Sequence, residues 1–190
     1  MRVLGVDPGS RFLGYGLVEV ARGGRVRYVA HGVVRAGRAA PLEQRLEAIF
    51  IELGRVFDVF APDAVAVEGV FTHKNARSAL ILGHARGVVL LIAARARVPL
   101  YEYAPARVKR SIGSGGNDSK GAVARMVTRL LELEAPLERA DAYDALAVAC
   151  CHANQVRGLK LPATGKRPGL PFAERLTPNV IRPPESGAPS

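Results

Sequence analysis

The chain opens with three strand patterns in succession, and each later strand pattern follows a helix-length one. Residues 3–6 (Val-Leu-Gly-Val) read as a buried strand closed by Asp7-Pro8-Gly9, since proline cannot extend a ladder and glycine permits a tight turn. Residues 12–20 form a second strand pattern containing Gly14 and Gly16, Ala21-Arg22-Gly23-Gly24 a hairpin turn, and residues 25–34 a third strand. About 42–60 is a helix, with Pro41 in its first turn and Leu42, Leu46, Ile49, Phe50, Leu53, Val56, Phe57 and Phe60 on one face. A strand over 64–68, a helix over about 75–97 and a strand over 98–103 follow. Then come a short helix over 105–112, a helix from a cap at Asp118 or Ser119 to about 133, and a last helix over about 137–155. Hairpin-linked strands pair antiparallel, and strands joined through helices pair parallel. The expected fold is therefore α/β: a five-stranded mixed sheet flanked by helices.

Two of the apolar strand runs end on a carboxylate, Asp7 and Glu68, and Asp141-Ala-Tyr-Asp144 opens the last helix. An ionised carboxylate at the end of an apolar strand is costly unless something positive compensates it. Functional groups in α/β sheets gather at the carboxyl ends of strands. If the first and fourth strands are neighbours, Asp7 and Glu68 meet there. Asp141 and Asp144, three apart, share a helix face and can be laid against them. Taken separately, the two helical acids also suit a helix N-terminus, and Asp7 also suits a cap on its own turn. Taken together, four crowded carboxylates raise one another's pKa values, and a hard cation such as Mg²⁺ or Mn²⁺ resolves the conflict. Two such ions about 4 Å apart would activate water and stabilise the leaving oxygen of a phosphodiester.

Composition narrows the substrate. The formal net charge is +10, and the sequence pI is about 10.3, which suits a polyanionic partner such as nucleic acid. Lys109 and Lys120 flank the glycine-rich stretch Gly113-Ser114-Gly115-Gly116-Asn117, where backbone N–H groups can approach a phosphate. Phe71, in a basic loop three residues after Glu68, either stacks on a base or anchors the loop in the core. Lys74 lies in the same loop. Arg77, Arg86, Arg107, Arg110, Arg125 and Arg129 are expected to give general phosphate contacts. Ala76, Ala79, Gly83 and Gly87 put small residues on one stripe of the second helix, for packing on the sheet or for a two-fold contact between copies.

The longest uninterrupted apolar run, 88–94, is too short to span a bilayer. Adjacent Cys150 and Cys151 suit reduced, buried thiols, and His152 reads as a core or bystander residue. These point to a soluble cytoplasmic protein without a membrane partner. Composition shifts at Gly158 to a proline-rich, basic stretch, which divides the chain into a domain over 1–157 and a disordered tail over 158–190.

Several ordered blocks resemble the RuvC family of bacterial Holliday-junction resolvases. They are Gly5-Val6-Asp7-Pro8-Gly9-Ser10-Arg11 with Gly14-Tyr15-Gly16, Val67-Glu68-Gly69-Val70-Phe71, Lys74-Asn75-Ala76-Arg77-Ser78-Ala79-Leu80 and Leu82-Gly83-His84-Ala85-Arg86-Gly87. Tyr103-Ala104-Pro105, Val108-Lys109, Lys120 and Asp141-Ala142-Tyr143-Asp144-Ala145-Leu146-Ala147 complete the set. The resemblance covers roughly residues 1–155 and implies an RNase H-like fold. It also implies a homodimeric, Mg²⁺-dependent endonuclease that resolves four-way junctions in recombination and repair by paired symmetric nicks, and works with a RuvA–RuvB branch-migration machine. Asp7, Glu68, Asp141 and Asp144 match the family's metal-binding carboxylates, Lys109 and Lys120 its basic residues near the scissile phosphate, and Phe71 an aromatic at the crossover. Two other readings remain: a junction-binding module that does not cut, and a nucleotide-binding protein of the actin-like superfold, whose phosphate hairpin also begins with a strand-ending Asp.

Overall fold

The structure, a computed structural model, describes residues 1–37, 39–69, 76–113 and 121–157. Phe71, Lys74, Lys120, the helix cap at Asp118 or Ser119 and the tail over 158–190 lie outside the described residues.

The strands are β1 (Arg2–Asp7), β2 (Phe12–Val20), β3 (Val26–Arg35), β4 (Ala64–Glu68) and β5 (Leu100–Tyr103). They form one sheet in the order β3-β2-β1-β4-β5. The pairs β1–β2 and β2–β3 are antiparallel, and β1–β4 and β4–β5 are parallel, as the order of hairpins and crossovers requires. β1 and β4 lie inside the sheet and are covered on both faces, which is why they read as continuous apolar runs rather than alternating ones.

Alternation along the strands sorts side chains into two layers. On one face Leu4, Val6, Leu13, Leu17, Val65 and Val67 pack with α1 (Leu42–Phe60) and α2 (Ala76–Ala96). On the other, Val3, Val18, Val20 and Ala66 pack with α3 (Pro105–Ser111), α4 (Ala122–Leu130) and α5 (Ala140–Val156). Burying these apolar side chains contributes about 1.5–3 kcal/mol each before chain entropy is counted.

α5 lies unusually close to the sheet. A Cβ at Gly5 would fall 2.0 Å from the Ala145 carbonyl oxygen, and one at Gly14 would fall 2.0 Å from that of Asp141. At Gly16 it would meet the Leu146 side chain at 2.6 Å. The glycines inside β1 and β2 therefore form a trough for a helix whose own contact residues, Ala145 and Ala149, are small.

Some boundaries differ from those the sequence predicts. α5 starts at Ala140 rather than 137, because Arg139 is extended; ahead of it, the Leu137 N–H donates to the Tyr143 hydroxyl at 2.8 Å. β5 starts at Leu100, since Pro99 offers only its carbonyl, which accepts from Val65 N–H at 2.9 Å. α4 is shorter than expected: Gly121, at φ +90°, precedes it, and Glu132, at φ +52°, turns the chain beyond its end. Pro41 caps α1 from outside the first turn. α2 has 21 residues and is long and apolar enough, by length and composition, to cross a membrane. Counting only uninterrupted apolar residues missed this. Its inner face, Ala85, Val89, Ile92 and Ala93, packs in the core.

Candidate active site

The sheet brings the strand-ending acids together. β1 and β4 run in parallel with Val6 opposite Val67, so Asp7 and Glu68 end adjacent strands on the following rung. Asp7 alternates with Gly5, and Glu68 with Ala66, so both carboxylates project on the α5 face. Asp7 is also paired with Gly14 on β2, the glycine on which the Asp141 carbonyl rests. The trough thus fixes the first turn of α5 over the rung that holds Asp7. Asp144, one turn further, lies on the same helix face.

The electrostatics follow from this crowding. Burial, then the charges of Asp144, Glu68 and Asp141, push the Asp7 carboxyl up to about 7. Burial and Asp144 raise Glu68, while Lys109 opposes the rise. Burial and Asp141 raise Asp144, and Lys109 again opposes. Lys109, exposed in the last turn of α3, is therefore close enough to act on two of the acids. Among the described residues, no three potential ligands already close around one point. Carboxylates that repel one another need a cation to draw their oxygens together. The donor set fits such an ion: it consists entirely of hard carboxylate oxygens, and the groups are destabilised as neighbouring anions.

Other predicted residues fall as follows. Arg77 is exposed in the first turn of α2. Arg86 is committed within the fold rather than free for DNA: with 15% of its side chain exposed, it pairs with Glu102 and donates to the Glu68 carbonyl at 3.2 Å. It therefore clamps the end of β4 from the α2 side. Arg107 donates to Gln155 at 2.9 Å and lies over the Tyr103 ring. His152 is a core residue, 2% exposed, with Nδ1 2.6 Å from the Tyr103 hydroxyl, and burial lowers its pKa. Cys150 and Cys151 are free and buried.

Two contacts were not read from the sequence. Arg45 on α1 donates to the Ser10 hydroxyl at 3.0 Å and braces the loop after Asp7. Arg139 donates from Nε to Asp141 Oδ2 at 2.9 Å. The sole sequence signal for the second was a basic residue two before a candidate ligand.

Known proteins resemble the chain in sequence and in fold. The profile of the family described as crossover junction endodeoxyribonuclease RuvC matches residues 3–152. The protein of that name from Myxococcus xanthus is 56% identical over 189 residues, covering 96% of this chain and 98% of its own. That from Sorangium cellulosum is 54% identical over 182 residues, covering 96% and 99%. Among solved structures, T. thermophilus RuvC in complex with a Holliday junction substrate superposes with a TM-score of 0.76 at 36% identity, covering 83% of this chain and 95% of that one. The yeast mitochondrial Holliday junction resolvase Ydc2 matches with a TM-score of 0.59 at 14% identity, covering 80% and 77%, a likeness of fold alone. The five-stranded mixed sheet is the RNase H-like architecture of these resolvases.

Proposed function

Because the chain belongs to the RuvC family of crossover junction endodeoxyribonucleases, we propose that it resolves four-way DNA junctions by paired, metal-dependent hydrolysis of the phosphodiester backbone at Asp7, Glu68, Asp141 and Asp144. The observation that carries this reading is the gathering of these four carboxylates at one end of the sheet, in a chain of net charge +10. A cluster that raises the carboxyls of Asp7, Glu68 and Asp144 through burial and mutual repulsion is poorly suited to be a surface ornament and well suited to a divalent cation.

The ions are two Mg²⁺ per site, with Mn²⁺ able to substitute. When bound, they supply an activated water and charge stabilisation at the leaving oxygen. The chain's own contributions can be stated residue by residue. Asp7 and Glu68 provide ligands from rigid strand ends, and Asp141 and Asp144 provide them from α5. Arg86 holds the Glu68 carbonyl at the end of β4, and Arg45 holds the Ser10 side chain in the loop after β1. Lys109 moderates the negative field on Glu68 and Asp144 and offers a cation to the phosphate. Lys120, Lys74 and Arg77 add phosphate contacts, and Phe71 stacks at the crossover.

The active species is a homodimer, which puts two sites on a substrate with two equivalent strands. Support comes from the outer face of α2: Leu80, Leu91 and Leu90 are 65%, 51% and 40% exposed, and Gly83 and Gly87 have open space above them. Residues 1–157 form the nuclease domain, and 158–190 are an appended tail. The cellular setting is the cytoplasm, with a RuvA–RuvB branch-migration complex as partner. No observation favours the actin-like reading, and a binder that does not cut leaves the acids without a role.

Cleavage of a labelled mobile four-way junction, compared with a linear duplex of the same sequence, tests the proposal. Paired nicks in the junction that require Mg²⁺ or Mn²⁺ are expected. Binding without product under either metal would favour the non-cutting module.

A further inference from the structure

We propose that Arg139, stacked on Phe12, is a positioning residue that orients the Asp141 carboxylate for cation binding. This rests on the metal-site reading of Asp141 given above. Arg139 is the extended residue just before α5, at φ −138° and ψ 146°, and its side chain makes no cap to the helix backbone. It turns instead to Asp141, donating from Nε to Oδ2 at 2.9 Å, and its guanidinium carbon lies 3.7 Å from the centre of the Phe12 ring. The ring fixes the plane of the guanidinium, and the guanidinium fixes the carboxylate.

The support beneath this pair is built from the sheet. Phe12 is the first residue of β2, directly opposite Arg35 on β3. Arg35 in turn holds Glu138, the neighbour of Arg139, at 2.5 Å. Leu137 is tied to the Tyr143 hydroxyl. Three successive residues before α5 are therefore each held by a side chain, and two of these ties come from the Phe12–Arg35 rung. Gly14, two residues after Phe12, carries the Asp141 backbone. One short stretch of β2 thus sets both the main chain and the carboxylate of Asp141. The contact engages Oδ2.

A guanidinium beside a metal ligand has two opposed effects. Its charge repels a cation, whereas its hydrogen bond fixes the ligand in a binding orientation. Partners of ligating carboxylates are typically worth 10–100-fold in metal affinity, and the rigid seating of Arg139 makes orientation the larger effect. The sign of the change on removing Arg139 separates the two.

The test is Mn²⁺ binding to the full-length, DNA-free protein, read from the electron paramagnetic resonance of the free ion. Thermal melts check that each variant is folded. Arg139→Ala should weaken Mn²⁺ binding by roughly 10–100-fold. Arg139→Gln, which keeps a donor, should recover part of the loss, and Phe12→Leu should cause an intermediate one. Junction binding by Arg139→Ala in EDTA should be unchanged. Tighter or equal Mn²⁺ binding by Arg139→Ala overturns the proposal. So does a loss of junction affinity in EDTA with Mn²⁺ binding intact, which would make Arg139 a phosphate contact. Asp141→Asn separates the levels. If it binds Mn²⁺ as wild type does, the metal reading of the site fails and the proposal falls with it. If it binds weakly while Arg139→Ala does not, the positioning role alone is wrong.

Discussion

Asp7 bears the greatest electrostatic load among the four acids, and its burden has a definite pH dependence. Its carboxyl is raised from an ordinary 3.8 to about 7 by burial first and by three neighbouring acids second. Between those values the folded chain binds more protons than the unfolded one, so this residue's contribution to stability falls as pH rises through the window. In metal-free protein, Asp7→Asn should therefore raise Tm at pH 8 and change it little below pH 4. The shift should be roughly 2–4 °C for each kcal/mol relieved. An unchanged Tm at pH 8 would mean that the carboxylates do not crowd. A buried pair gives a second residue-level expectation: Tyr103→Phe strips the partner from His152 Nδ1 and should cost about 1–3 kcal/mol in chemical denaturation. The four acids were legible in the sequence because each ends or opens an element, where an apolar pattern makes a charge conspicuous. Arg86, Arg45 and Arg139 were not legible as positioning groups. Their partners lie on other elements or depend on a backbone turn, and a basic residue in an arginine-rich chain carries little signal of its own.

Among the elements, α5 and its glycine trough decide whether the site exists. Gly14→Ala would put a methyl group 2.0 Å from the Asp141 carbonyl. The obstacle is backbone at both ends, so α5 must move. Overpacking of this kind costs about 1–3 kcal/mol, and here the displaced residue is a candidate ligand. Gly14→Ala should lower Tm by several degrees and lower cleavage further than the stability loss explains; wild-type cleavage would show that α5 tolerates the shift. Strands β2 and β4 and helix α1 were read with their observed bounds, because Pro62, the Gly23-Gly24 turn and the strict spacing of α1 punctuate them sharply. The start of α5 was set too early, because Arg139 is extended, at φ −138° and ψ 146°, and interrupts the helical run before Ala140. Gly14 and Gly16 could be placed in a strand from sequence, but the helix that needs them there is 124 or more residues away and no local pattern announces it.

The whole molecule carries a formal net charge of +10, with four of its 17 acidic side chains gathered at one end of the sheet and an apolar stripe on the outside of α2. On the dimer reading, Leu80→Glu with Leu91→Glu should shift the protein to monomer in sedimentation and abolish paired nicking; an unchanged mass would move the interface elsewhere. Binding to junction DNA should weaken by roughly a thousandfold or more between 50 and 200 mM salt if about 6–10 phosphates are contacted. The element order was enough to predict a mixed sheet, since hairpins and crossovers leave few choices. The account as a whole turns on whether the carboxylates serve cleavage rather than recognition. The most direct measurement compares wild-type and Asp7→Asn protein on one labelled four-way junction, with affinity measured in EDTA and strand cleavage in Mg²⁺. Unaltered affinity with cleavage abolished is the predicted result, and Asp7→Asn cutting at the wild-type rate would contradict it.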